Sequence, residues 1–349
     1  MPLVYLKMEK LGMRNDPLYG RIKGIYRNAW VLNQRLLASA KAIANECAKR
    51  NAPIVFLKGL SMLTDVYSNL GARFTGDADL FSIPEHAPEI VQTMRALGWR
   101  YSKPWMPDIN NPSVAMYQVT KSTDFVNDRN VPIDMHWNIF GLYHHANPWD
   151  IFLLRKNIST LAFTREYWKD AVPLADASIP AKRLSNEDML IHVMVHGAEG
   201  SVRKALRWVT DAAAIIETFP IDWSRMLERA KRFGLHLELA VGFRYLNERM
   251  HVAIPDAFLD KLYAIPYTKR QRREFKRRGN LTGGERFSPA NNLLMFWYAY
   301  WVYEPRGRFP KTPFGYLWYT ATCLGVRRPK MFGYILGKYW KKLVRSIAA

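Results

Sequence analysis

Apolar residues recur at intervals of three and four across residues 25–50, with Ala and Leu frequent and no proline. That spacing predicts one long amphipathic helix, ended by Asn51-Ala52-Pro53. Ile54-Val55-Phe56-Leu57 is a short apolar run that suits a buried strand; Lys58-Gly59 follows as a turn, then a second helical stretch to about residue 69. Residues 71–76 read as a loop, and Asp77-Ala78-Asp79-Leu80-Phe81-Ser82-Ile83 alternates in the manner of a strand until Pro84 stops it. A helix is expected over 85–97, closed by Gly98, then strands at 116–119 and over Val131-Pro132-Ile133-Asp134-Met135-His136-Trp137. Pro132 sits near the beginning of that last strand, where a missing N–H is tolerated.

Beyond about residue 147 the periodicity turns helical almost throughout. Ser185 with Asp188 three positions on fits a capping arrangement that opens a helix through His196; further helices are expected over 202–218, 222–233 and 235–250. Val172-Pro173 and Ile179-Pro180 interrupt the chain between the two regimes. The expected architecture is therefore α+β: a mixed domain with an N-terminal helix over 1–180, then a mainly helical domain over 181–349 with a basic, aromatic C-terminal segment.

Composition narrows the class. Of 349 residues, 49% are hydrophobic and 23% charged, which is globular rather than disordered. The formal charge is +21, and from Asp260 onward 19 basic side chains face only 4 acidic ones, a bias suited to phosphate-bearing partners. Two distant cysteines, Cys47 and Cys323, give no disulfide framework and no zinc spacing, so a reducing compartment is expected. Lys7, Glu9 and Lys10 break any apolar run at the N-terminus, and the longest apolar stretch, 293–303, is short of the roughly 20 residues that span a bilayer. The expectation is a cytoplasmic protein, soluble or peripheral to the inner face of a membrane.

The chemistry concentrates on three carboxylates. Asp77 and Asp79 lie two apart on one strand and so share a face, while Asp134 interrupts another apolar strand. Like charges held together call for a cation, and hard oxygen ligands favour magnesium or manganese. Three carboxylates on neighbouring strands are what a two-metal phosphoryl-transfer site requires. Lys58 and the backbone at Gly59, at the mouth of a strand-to-helix turn, suit a phosphate.

The run FLKGLSMLTDVYSNLGARFTGDADLF, followed by ALGWRY and VPIDMHWNIF, resembles the uncharacterised nucleotidyltransferase family of the DNA polymerase beta-like superfamily. LIHVMVHGAEG, LRWVTDAAAII and IDWSRMLERAKRFGL extend the resemblance to about residue 250. It implies a polymerase-beta-like fold with Asp77, Asp79 and Asp134 as metal ligands and catalytic carboxylates. It also implies Lys58, Gly59, Arg73 and Gly76 on the nucleotide side, and an NTP, ATP foremost, as substrate. Lys58-Gly59-Leu60 departs from the superfamily's Gly-Gly or Gly-Ser turn.

Other residues carry two readings. His136 shares a face with Asp134 and either touches nucleotide or orients an aspartate. His192 and His196 sit four apart on one helix face without the glutamate of a metalloprotease motif, which favours packing or substrate lining over metal. Arg207 and Asp211 are spaced for a salt bridge along a helix. The cluster over 269–278 suits RNA or a solvated face, and residues 329–347 form a basic amphipathic stretch that suits an anionic membrane surface or packing on the core.

The expected activity is metal-dependent transfer of a nucleoside monophosphate from an NTP to a hydroxyl of a small molecule, glycan, peptide or protein, releasing pyrophosphate. The rivals are an RNA or tRNA nucleotidyltransferase of the toxin-like sort, and a non-catalytic nucleotide-binding module recruited to a membrane-associated assembly.

Overall fold

The computed structural model describes residues 2–102, 117, 121–140, 160–198, 207–269, 271–272, 275, 296–297, 300–301 and 312–323. Among these, α1 (Pro2–Lys10) packs on the long α2 (Tyr19–Lys49), with the Tyr5 ring against Tyr19 and Tyr26. A single mixed sheet follows: β1 (Ile54–Phe56), β2 (Ala78–Phe81), β3 (Arg100–Tyr101), β4 (Ser122–Val126), β5 (Pro132–His136), β6 (Val172–Pro173) and β7 (Ala181–Arg183). Its spatial order is β3-β4-β5-β2-β1-β7-β6. The central strand β2 runs antiparallel to β1 and parallel to β5, and β7 lies parallel to β1. Helix α3 (Lys58–Asp65) leaves β1, and α4 (Ala87–Ala96) follows β2 after a short 3-10 turn at Pro84–His86.

Alternation decides which side chains each face receives. Ile54, Phe56, Ala78, Leu80, Ile133 and Met135 pack with Leu36, Ala40 and Ile43 of α2 and with Ile90 and Met94 of α4. Val55, Leu57 and Phe81 point the other way and join the hydrophobic core of the helical half. Each of the larger of these side chains, fully buried, contributes roughly 1.5–3 kcal/mol.

That half comprises α5 (Thr160–Lys169), α6 (Asn186–Ala198), α7 (Arg207–Thr218), α8 (Trp223–Arg232), α9 (His236–Met250) and α10 (Asp256–Tyr263); α11 (Pro313–Cys323) follows later in the chain. The Ser185 hydroxyl accepts from the Asp188 N–H at the start of α6, and Asp222 caps α8 by accepting from the Ser224 and Arg225 amides. Two glycines allow close helix packing: a Cβ at Gly197 of α6 would lie 2.2 Å from the Trp208 indole Cγ of α7, and one at Gly242 of α9 2.5 Å from Met194 Cε of α6. Among the described residues no helix is long and apolar enough to cross a membrane.

Two local expectations need correction. Tyr117, the one described residue of the strand expected at 116–119, is helical, and the strand entering the sheet there is β4, six residues further on. In addition β2 begins at Ala78, so Asp77 lies in the bend that precedes it.

Candidate functional site

Parallel pairing of β2 with β5 sets Asp79 directly beside Asp134 and Phe81 beside His136. Because neighbouring residues in register leave a sheet on the same side, Asp79, Asp134 and His136 all project from the face toward the helical half. His136 Nε2 lies 3.0 Å from both Asp79 Oδ1 and Asp134 Oδ2. One ligand atom of each of the three residues falls within 4.8 Å of the others, which makes them a candidate metal-binding group. Trp137, next in sequence, turns into the opposite core, where its indole N–H donates to Thr123 Oγ1.

Lys58 enters from the β1–α3 junction. Its Nζ donates to Asp79 Oδ1 at 2.6 Å and lies 3.3 Å from His136 Nε2. The reach demands a backbone φ of +44°, a left-handed conformation that costs a non-glycine residue roughly 1–2 kcal/mol. Strain of that kind persists where the surroundings over-determine it and is typical of functional sites. Gly59 is needed for a different reason: a Cβ there would stand 2.4 Å from Thr75 Cγ2 and 2.7 Å from an Arg73 guanidinium nitrogen. The glycine thus lets the first turn of α3 close on the loop that leads into β2.

The electrostatics are those of a compensated carboxylate pair. Burial works to raise Asp79, yet Lys58 and His136 hold it below the usual carboxylate range. Asp134 is likewise held well below that range against the same burial, first by His136, then by Lys58 and a hydrogen bond from Ser122. Burial likewise opposes charge on His136 and Lys58, but Asp134 raises the former and Asp79 the latter. Both acids therefore remain ionised at neutral pH. Among these four side chains, two buried atoms have no hydrogen-bond partner among the described residues, Asp134 Oδ1 and His136 Nδ1. A buried carboxylate oxygen with no partner is costly unless something else supplies one.

The other residues singled out in the sequence lie around this centre. Asp77 and Gly76 are exposed at the bend before β2, with the charge of Asp77 felt by Lys58 and by Arg207. Arg73 is buried and committed: Nε and one terminal nitrogen donate to Asp211 at 2.8–3.1 Å, and the other to Thr75 Oγ1 at 3.0 Å. The Asp211 pair expected with Arg207 is thus made with Arg73, 138 residues away in the chain, and Tyr67 Oη adds a hydrogen bond to the same carboxylate. His192 and His196 lie on α6 facing the site; burial first, then the Lys58 charge, keeps both imidazoles neutral. Their ring centroids are 6.3 Å apart, and His192 packs edge-on against Phe140.

Three residues escaped the sequence reading. Asn33 holds the loop between α3 and β2, donating to the Leu70 carbonyl at 2.6 Å and the Arg73 carbonyl at 2.5 Å while accepting from the Thr75 N–H. A polar residue within the buried stripe Ala29, Asn33, Leu36, Ala40 is a legible signal for such a role. Ser122 and Asp124 lie on β4, with Asp124 opposite Asp134 in register; their segment carried no clear strand pattern. Of the basic cluster over 269–278 only Lys269, Gln271, Arg272 and Phe275 are described, and residues 329–347 lie outside the described residues.

No curated protein matches the chain. A family model described as uncharacterised nucleotidyltransferase matches residues 1–251, from α1 through α9 and so across every strand and helix that builds the acidic centre. The chain accordingly belongs to the uncharacterised nucleotidyltransferase family.

Proposed function

We propose that this nucleotidyltransferase moves a nucleoside monophosphate from an NTP to an acceptor hydroxyl in a reaction that depends on magnesium or manganese. One observation carries the reading: the in-register Asp79–Asp134 pair, one of whose oxygens is buried without a partner. The donor set fits a hard divalent cation, since two carboxylates converge with His136. Asp79 and Asp134 would hold the metal, with Asp77 completing the set from the bend. Once bound, the metal would supply positive charge against the triphosphate and acidify an attacking hydroxyl.

The chain's own groups do the rest. Asp134 Oδ1, lacking a partner, accepts the hydroxyl proton as the acceptor oxygen bonds to the α-phosphorus and the bond from that phosphorus to pyrophosphate breaks. His136 holds both carboxylates in orientation, and the Lys58 ammonium supplies a fixed positive charge beside them and toward the phosphates. Gly76 leaves room for the nucleotide at the bend before β2, where a Cβ would meet only Phe74 Cε1 at 3.9 Å, while Gly59 shapes the site by letting α3 close on Thr75. Arg73 acts at one remove by fixing the loop that carries Gly76 and Asp77.

ATP is the first nucleotide to test. The purified chain is incubated with each α-labelled NTP, magnesium and an extract of its source cells, and pyrophosphate release is followed with label on metabolites, glycan, protein and RNA. Release that disappears in Asp79→Asn and Asp134→Asn, with folding retained, is the expected result. Transfer undiminished in both variants would refute the assignment.

A further inference from the structure

A nucleoside triphosphate brings several negative charges to a site that already holds two ionised aspartates, so it needs a cation whose donors are not already engaged. Lys58 is drawn toward Asp79, and Arg73 has donors on Asp211 and Thr75 from all three of its nitrogens. Arg207 is differently placed. It stands one helical turn before Asp211 on α7, at the i, i+4 spacing that puts two side chains on one face. Asp211 is engaged by Arg73, and Arg207 is exposed and forms no ion pair among the described residues.

Its surroundings fix where it lies. Partial burial and the neighbouring Arg73 pull the Arg207 guanidinium down, while Asp211, Asp77 and Asp79 push it up, so it shares a field with the acidic centre. The next residue, Trp208, is seated tightly on Gly197 of α6 and touches the Gly242 position of α9, which anchors the backbone from which Arg207 projects. An anchored backbone with an uncommitted planar fork is suited to bidentate recognition of phosphate oxygens.

We infer that Arg207 binds the β- and γ-phosphates of the incoming NTP, and that Arg73 serves as the positioning residue that leaves it free to do so. The inference rests on the proposed nucleotidyl transfer. It assigns to α7 the distinction between a triphosphate and a monophosphate.

The test is calorimetric titration, with magnesium, of the four α,β-methylene nucleoside triphosphates and the corresponding monophosphates into the wild-type chain, Arg207→Ala, Arg207→Lys and Asp79→Asn. Loss of a charged hydrogen-bonding group predicts triphosphate binding weakened about 10- to 100-fold in Arg207→Ala. Monophosphate binding should change less than about threefold, and Arg207→Lys should fall between, because it keeps charge without the fork. Unfolding midpoints of the variants are measured alongside. Triphosphate affinity unchanged in Arg207→Ala, or lost in equal measure with monophosphate affinity, overturns the inference. If Asp79→Asn abolishes magnesium-dependent binding while Arg207→Ala does not weaken it, this inference alone falls. If the wild-type chain binds no triphosphate, the nucleotidyl-transfer reading falls and takes this one with it.

Discussion

Replacing Arg73 by methionine removes every guanidinium contact to Asp211 and leaves that carboxylate, 3% exposed, with the Tyr67 hydroxyl at 3.2 Å. Removing one member of a buried ion pair costs about 3–5 kcal/mol, because the remaining charge is stranded in a poorly polarisable interior. Folded domains are stable by only about 5–15 kcal/mol, so the loss would be a large fraction of the total. The double variant Arg73→Met with Asp211→Leu removes both charges and should recover most of the deficit, the stranding being what was costly. Urea unfolding followed by circular dichroism measures Arg73→Met, Asp211→Leu and the double variant against wild type; with slopes of about 3 kcal/mol per M or less, Arg73→Met should lower the midpoint by at least about 1 M. A shift worth under about 1 kcal/mol would refute the account. So would a double variant whose loss equals the sum of the two singles, since groups in direct contact must couple.

Gly197→Ala sets helix propensity against packing: alanine gains about 1 kcal/mol in a helix, but its Cβ would meet Trp208 Cγ at 2.2 Å and Cβ at 2.4 Å, atoms near the indole's root that cannot swing away. Overpacking costs about 1–3 kcal/mol, so the melting temperature should fall; a rise would show that α6 and α7 are free to part. Asp188, buried in α6 near Arg229, has its pKa raised to about 6 by burial, with Arg229 opposing. A carboxyl whose folded pKa exceeds its unfolded value binds more protons when folded, so stability falls as pH rises from about 4 to 6 and stays lower above. Asp188→Asn should therefore stabilise the chain at pH 7.5, by up to about 3 kcal/mol, and change little at pH 4. Equal effects at both pH values would show that ionisation is not what matters there.

Much of the centre was legible because its signals are local. The β1 strand with the Lys58-Gly59 turn and α3, Pro132 opening β5, Gly98 closing the helix at α4 with φ +83°, and the Ser185 cap all rest on a few adjacent residues. Asp134 betrayed itself as a charge between Ile133 and Met135. What escaped is non-local. No spacing shows that Asp211 is claimed by Arg73 rather than by Arg207 four residues away, because the competition is decided by how α7 packs beside the α3–β2 loop. β4 was missed because Ser122-Thr123-Asp124-Phe125-Val126 alternates weakly, and its partners lie at β5 and β3. The purpose of Gly59, closeness to Thr75, likewise depends on a loop 16 residues on.

The strands that carry Asp79 and Asp134 send their other residues, Ala78, Leu80, Ile133 and Met135, into the layer beneath α2 and α4. A one-residue slip of β2 would turn Ala78 and Leu80 toward the acidic centre and Asp79 into oil. Errors of alignment are thus proofread by the fold itself: a chain assembled out of step would fail to become solid before it could become a faulty enzyme.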